Sequence, residues 1–381
     1  MSGYELAPTP RVTGGAGAHG RLGEIITRLA GTKVLLVADP GLRLAGVMEM
    51  VQRVLAKSTV ATELFCDFSS DPTIEQTDNG ANRARDLRAD IVIALGGGSA
   101  LDLGKAIAAI ATDRRSALDY ELCKTELPLK RLPTICVPTT SGTGSEATRT
   151  AVLTRADGAK TWLWGETVRP NEVVLDPQLT ASLPASLTAT TGIDALVHAV
   201  EAATNRNASA ANNVYAYEAI RLVASHLEKA VAESGDIIAR DALQRASFLA
   251  GIAIDNAGTA IAHNIGHAMG SLRKIHHGRA VGVAMLASLP WNSEGDDGRW
   301  AACAAAIGAR PSATAFIEAY ERLLRGSGVP ISLADEFAGI SVDMLAQQMS
   351  RPENASMRAS NLRSTSLEDL RHLAAGVLEQ R

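Results

Sequence analysis

The chain has 381 residues, 46% of them hydrophobic and 20% charged, with a formal net charge of −4. That length exceeds the size at which a single core usually keeps growing, so two domains are expected, and the apolar fraction is enough to fill both. The mildly acidic balance with no basic block argues against nucleic acid or an anionic membrane as partner.

No run approaches the roughly 18 apolar residues of a membrane span, and the start MSGYELAPTPRV carries no charged-then-apolar signal, so a cytoplasmic protein is expected. Cys66, Cys123, Cys136 and Cys303 are far apart, with no CxxC pair. Reduced, mostly buried thiols are expected rather than a zinc ribbon or a thioredoxin centre.

After a polar N-terminus, VTGGAGAHGRLGEIITRLAG reads as a glycine-rich turn followed by a helix. KVLLVADPG follows as a buried parallel strand, apolar from Val34 to Ala38 and stopped by Asp-Pro-Gly. Asp39, at the carboxyl end of that strand, is placed to accept hydrogen bonds from an adenosine ribose and to repel a 2′-phosphate, although taken alone it also reads as a turn aspartate. A helix (LAGVMEMVQRVLAKS), a strand (TELFCDF), a turn (SSDPT) and a second helix (IEQTDNGANRARDLRA) continue the β-α alternation of a doubly wound sheet.

DIVIALGGGSALDLGKAIAAIAT then sets strand, triple glycine and helix in immediate succession. This is neither GxGxxG nor a Walker loop, since no GK[ST] follows. Gly96, Gly97 and Gly98 nevertheless permit close backbone approach to a pyrophosphate at a helix N-terminus, and Ser99 adds a hydroxyl. The strand TICVPTT opens into SGTGSEATR, where Thr139, Thr140, Ser141, Thr143 and Ser145 offer neutral donors and no strong cation, which suits a diphosphate and ribose. TAVLT, a turn at Asp157-Gly158, KTWLW and EVVLDPQLTASLP complete what reads as the edge of the first domain.

From Pro184 onward the β-branched runs give way to long alanine-rich segments of helical period, dividing the chain into residues 1–182 and a nearly all-α part, 183–381. AHNIGHAMGSLRKIHHG, residues 262–278, holds four of the eight histidines. His263 and His267 are four apart and share a helix face, the spacing of a shared metal or of a ligand-plus-acid pair, and spacing alone does not choose between these. In TGIDALVHAVEAA, Asp194 and His198 repeat the interval. Taken alone that pair also reads as a first-turn carboxylate and a core histidine, but two such helices facing each other would supply one carboxylate and three imidazoles.

GGGSALDLGKA, PTTSGTGSEAT, LDPQLTASLP, TGIDALVHAVEA, AHNIGHAMG and HHGRAVGVAM together resemble the iron-containing (group III metal-dependent) alcohol dehydrogenase family, in its order and at its spacings, over nearly the whole length. The resemblance implies a Rossmann-like α/β NAD-binding domain followed by an α-helical metal-binding domain, the dehydroquinate synthase-like architecture. By position it implies Asp194, His198, His263 and His277 as metal ligands and His267 as the proton-transfer residue, with no role for His276. It further implies Asp39 at the adenosine ribose, Gly97, Gly98 and Ser99 at the pyrophosphate, and Thr139, Thr140, Thr143 and Ser145 along the diphosphate and nicotinamide ribose, with Lys160 and Leu179 nearby. Asp102 and Lys105 belong to the same motif as parts of the loop's architecture. Asp71-Pro72 stands where relatives often have Asn-Pro, and Asp71 is not counted as a contact.

The implied chemistry is reversible hydride transfer between NAD(H) and a small alcohol or aldehyde, aided by one divalent metal, Fe(II) first with Zn(II) as the alternative. A homodimer or higher homo-oligomer is the family expectation. Arg149, Arg273 and Lys274 leave an anionic aldehyde open against the plainer reading of a solvated face, and Trp162 and Trp164 either narrow a pocket or pack a core. The alternatives are a zinc-dependent polyol or glycerol-type dehydrogenase, a cyclase using NAD transiently, and a non-catalytic nucleotide- or metal-binding protein.

Overall fold

The computed structural model describes residues 4–380 and divides into two compact units. One comprises residues 8–140 and 144–183; the other comprises residues 184–380 together with 4–7 and 141–143.

The first unit is built on a six-stranded, wholly parallel sheet. In chain order its strands are β1 (Arg11–Gly14), β2 (Lys33–Ala38), β3 (Ala61–Phe65), β4 (Ile91–Gly96) and β5 (Thr134–Pro138). A hairpin of β6 (Thr150–Thr154) and β7 (Lys160–Trp164) then precedes β8 (Glu172–Leu175). The sheet order is β1-β8-β5-β4-β2-β3, while β6 and β7 pair antiparallel as a separate sheet. The apolar runs explain the interior strands: β4, β5 and β8 are buried at every residue because helices cover both faces.

Along β2 the side chains alternate between two layers. Val34 and Leu36 pack with α1 (Leu22–Arg28) and α2 (Val47–Ala56), whereas Leu35 and Val37 pack with α3 (Ile74–Leu87) and α4 (Gly98–Ile110).

One sequence expectation is corrected. Residues 11–14 form an edge strand rather than the start of a turn; only Thr13 of the four is buried, so no hydrophobic run announces it. EVVL lies inside the sheet between β1 and β5, and the two strands before it leave the sheet as the hairpin.

The second unit is helical throughout: α5 (Ala185–Thr204), α6 (Ala210–Ala232), α7 (Ile237–Ala257), α8 (Ile261–Leu272) and α9 (His277–Asn292), then five further helices from Arg299 to Leu378. From Thr188 to Thr204, α5 is buried on every side, so its small residues serve as the axis on which α6, α7 and α9 pack. The long run 236–270 is two helices, broken at Gly258, whose φ of 82° ends α7. Among the described residues no helix is long and apolar enough to cross a membrane, and of the four free cysteines only Cys136 and Cys303 are buried.

Candidate active site

Asp194 and His198 lie one turn apart on α5, His263 and His267 one turn apart on α8, and His277 opens α9. The structure brings Asp194, His263 and His277 to one point, with a ligand atom from each within 4.8 Å of the others. Asp194 Oδ1 is 3.7 Å from His263 Nε2 and 3.6 Å from His277 Nε2. His198 lies beside this group, its ring stacked on that of His263 at 4.4 Å between centroids. Its Nδ1 is 3.3 Å from the Gly142 carbonyl and 3.9 Å from Asp194 Oδ1. A carbonyl only accepts, so Nδ1 is the donor and Nε2 keeps its lone pair. The half-buried His267 ring sits 6.2 Å from that of His263 and 5.3 Å from that of His277.

Close helix packing makes this convergence attainable. A Cβ on Gly278 would lie 2.1 Å from the Thr190 carbonyl oxygen, so only glycine lets the first turn of α9 approach α5 this closely. That approach carries His277 to Asp194. The His277 side chain, 41% exposed, marks the open side of a cluster whose Asp194 and His263 side chains are 3% exposed.

The electrostatics favour positive charge. Burial alone would push the Asp194 carboxyl up, but the neighbouring His198, His277 and His263 together hold it below the usual carboxylate range. Burial lowers His198 to about 4, keeping it neutral. Burial would lower His263 as well, yet Glu201 and Asp194 outweigh it and raise it to about 9. Asp194 Oδ1 and His263 Nε2 are buried with no hydrogen-bond partner. Each such orphan ordinarily costs about 1–3 kcal/mol. Without a cation at this point His263 carries the positive charge itself; a divalent transition-metal ion would take the place of that proton, and one carboxylate with imidazoles whose atoms face one another is a donor set that fits it.

Sequence reasoning missed Glu201. Its Oε2 accepts from His263 Nδ1 at 2.6 Å and from Ala260 N at 2.7 Å, and its Oε1 from Ala262 N at 2.6 Å. The signal was present, because 194, 198 and 201 follow the i, i+4, i+7 spacing of one helix face.

In the first unit, Gly96 ends β4 with φ 149° and Gly97 precedes α4, which has no side-chain cap at its N-terminus. Thr139 N donates to the Gly96 carbonyl at 3.0 Å, and a Cβ on Gly97 would meet Thr140 Cγ2 at 3.2 Å, so the two loops touch. Asp39 lies against Gly96 and accepts from Gly41 N at 2.8 Å, capping a short 3-10 helix at Pro40–Arg43. Ser99 Oγ accepts from Asp71 N at 3.1 Å, and Asp71 Oδ1 pairs with Lys160 Nζ at 2.6 Å, which ties Lys160 to the start of α4.

Ser145 and Leu179 lie deeper than the other loop residues. The Ser145 hydroxyl donates to Asp102 Oδ1 at 2.5 Å, and the fully buried Lys105 donates to the Ser145 carbonyl at 2.8 Å. Leu179 is 1% exposed, packed in the core with Val137 and Val174. Thr143 is half-buried and groups with the helical unit. Arg149 is paired with Glu166 at 3.0 Å and stacked over Trp164, itself 46% exposed, while Trp162 is half-buried and Arg273, Lys274 and His276 are exposed.

A parallel, doubly wound sheet followed by a helical unit bearing an Asp-His metal cluster defines a class of metal-dependent dehydrogenases. Residues 8–177 match the family profile described as iron-containing alcohol dehydrogenase, and residues 188–376 match that described as Fe-containing alcohol dehydrogenase family, C-terminal. The chain belongs to the iron-containing alcohol dehydrogenase family. It is 36% identical over 328 residues to long-chain-alcohol dehydrogenase 1 of Geobacillus thermodenitrificans (strain NG80-2), covering 84% of this chain and 83% of the relative. Its structure resembles that of a 1,3-propanediol oxidoreductase with a TM-score of 0.92 and 30% identity, covering 99% of this chain and 100% of the other. It also resembles sulfoacetaldehyde reductase from Bifidobacterium kashiwanohense in complex with NAD+, with a TM-score of 0.91 and 28% identity over 100% of both chains.

Proposed function

We propose that the chain interconverts a small alcohol and its aldehyde with NAD(H), using one divalent metal held by Asp194, His198, His263 and His277, Fe(II) first and Zn(II) as the alternative. In this reading residues 1–182 carry the nucleotide and 183–381 the metal. The observation that carries it is the pair of buried, unpartnered atoms Asp194 Oδ1 and His263 Nε2, with His277 Nε2 3.6 Å from the same oxygen. When bound, the metal supplies Lewis-acid polarisation of the substrate oxygen and NAD(H) supplies or takes the hydride.

The chain's own residues do the rest. His198 presents Nε2 because the Gly142 carbonyl holds its Nδ1–H. His267, half-buried beside His263 and His277, passes the alcohol proton towards solvent. Gly97, Gly98 and Ser99 bind the pyrophosphate with backbone N–H groups at the start of α4. Thr139, Thr140, Thr143 and Ser145 line the diphosphate and ribose, with Ser145 acting as an acceptor because its proton is committed to Asp102. Lys160 and Leu179 flank them, and Asp39 selects NAD over NADP by charge.

Arg149 is bound into Glu166 and Trp164, which favours a neutral substrate over an anionic one. A cytoplasmic homodimer or higher homo-oligomer completes the proposal, in keeping with four cysteines that form no disulfide among the described residues. The test is metal analysis of protein purified without chelator or air, followed by NADH oxidation with a panel of neutral and anionic short aldehydes. One divalent ion per chain and metal-dependent turnover are expected; bound metal with no turnover on any aldehyde would overturn the enzyme reading.

A further inference from the structure

Glu201 is 2% exposed and is engaged through both carboxylate oxygens. Besides His263 Nδ1, it accepts the backbone N–H groups of Ala260, Ala262 and, at 3.3 Å, His263. These are the N-terminal groups of α8, which has no side-chain cap of its own. A helix leaves its first N–H groups without intrahelical partners, and a carboxylate there satisfies them and is favoured by the helix dipole. Here that carboxylate comes from α5, the helix that also carries Asp194 and His198. One side chain therefore fixes where α8 begins relative to α5 and which way the His263 ring faces.

We propose that Glu201 is the positioning residue of the metal centre, setting metal affinity by holding His263 as the Nδ1–H tautomer with Nε2 turned to Asp194. The inference rests on the metal reading above and adds a residue which that reading does not need. Both Glu201 oxygens already accept backbone N–H groups, so in the 2.6 Å contact with His263 the ring is the donor and its proton belongs on Nδ1. The lone pair then lies on Nε2, the atom left without a partner 3.7 Å from Asp194 Oδ1.

Glu201→Gln tests this, because an amide cannot replace every acceptance. If its NH2 faces Ala262 and His263 N, donor meets donor and the start of α8 is pushed away; if it faces His263 Nδ1, the ring proton moves to Nε2 and blocks the metal. Either way Zn(II) affinity of metal-stripped protein, measured by chelator competition, should fall about 10–100-fold, the cost typical of losing a partner of a ligating histidine. The rise in thermal midpoint on adding Zn(II) should shrink with it. A cap with no bearing on the metal would instead lower the midpoint equally with and without Zn(II), and affinity within about threefold of wild type would overturn the proposal.

Should Glu201→Gln not fold, Glu201→Asp keeps the charge, shortens the reach and is judged by the same criterion. Nitrogen-15 NMR of the histidines in zinc-loaded wild type needs no variant. His263 should carry its proton on Nδ1 and bind through Nε2, and the reverse would overturn the proposal. Failure of the wild type to bind Zn(II) at all would instead remove the metal reading, and this inference with it.

Discussion

Gly278→Ala tests whether the close approach of α9 to α5 builds the metal site. Two donor atoms bound at about 2.1 Å to one tetrahedral ion lie about 3.4 Å apart. The Asp194–His277 and Asp194–His263 separations of 3.6 and 3.7 Å are already within a few tenths of an ångström of that spacing. The added methyl would sit 2.1 Å from the Thr190 carbonyl oxygen, where real Cβ atoms keep 3.0 Å or more, and the atom it meets is backbone. The start of α9 must therefore retreat by about 1 Å, the kind of overpacking that costs about 1–3 kcal/mol in a packed interior.

His277 would then lie too far from Asp194 to share its ion. Losing a ligand should cost no less than losing a ligand's partner, so metal affinity should fall by at least about 10–100-fold. Chelator competition on metal-stripped protein measures the affinity, and thermal melts without metal measure the packing cost. Gly270→Ala is the internal control. It lies on α8 with nothing within 4 Å of the added methyl, so it should leave metal binding unchanged and gain up to about 1 kcal/mol of helix propensity. Metal affinity of Gly278→Ala within about threefold of wild type would refute the reasoning.

His263→Ala should lose both metal and turnover, whereas His267→Ala should keep the metal and lose rate; equal metal loss in the two would overturn the division of roles. Asp39→Gly should raise kcat/KM for NADP relative to NAD, and Asp39→Ser, which retains a capping oxygen for Gly41 N, should do the same; an unchanged ratio in both removes the ribose assignment. Burial pushes the Glu146 carboxyl from its ordinary 4.5 up to about 7. The folded state thus holds this proton more tightly than the unfolded chain, and stability falls by about 3 kcal/mol as pH rises through that window. Glu146→Gln should flatten this dependence and be the more stable protein at about pH 8 in urea titrations, so parallel pH curves for the two proteins would contradict the burial argument.

What the sequence disclosed follows from which relations lie within one element. Asp194–His198 and His263–His267 are one-turn pairs, and helix geometry alone puts each on one face. The interior strands announce themselves because burial on both faces demands continuous apolar runs, whereas β1 is a four-residue edge strand with one buried side chain and leaves no such trace. The partner relations were not legible because they join elements far apart in the chain. Ser145 reads as an open-loop hydroxyl until Asp102, forty-three residues earlier, is seen to accept its proton. Arg149 reads as a free cation until Glu166 and Trp164 are placed beside it.

Glu201 shows both sides of this limit. Its position on the Asp194–His198 face was readable from spacing, but its partners begin fifty-nine residues later at Ala260. An acid on a buried helix face has meaning only once the donors opposite it are known, and here those donors include the same histidine that Asp194 faces. A pattern of ligand-type residues can therefore be read from the sequence of one helix, while the orientation of those side chains is written in the contact between two helices.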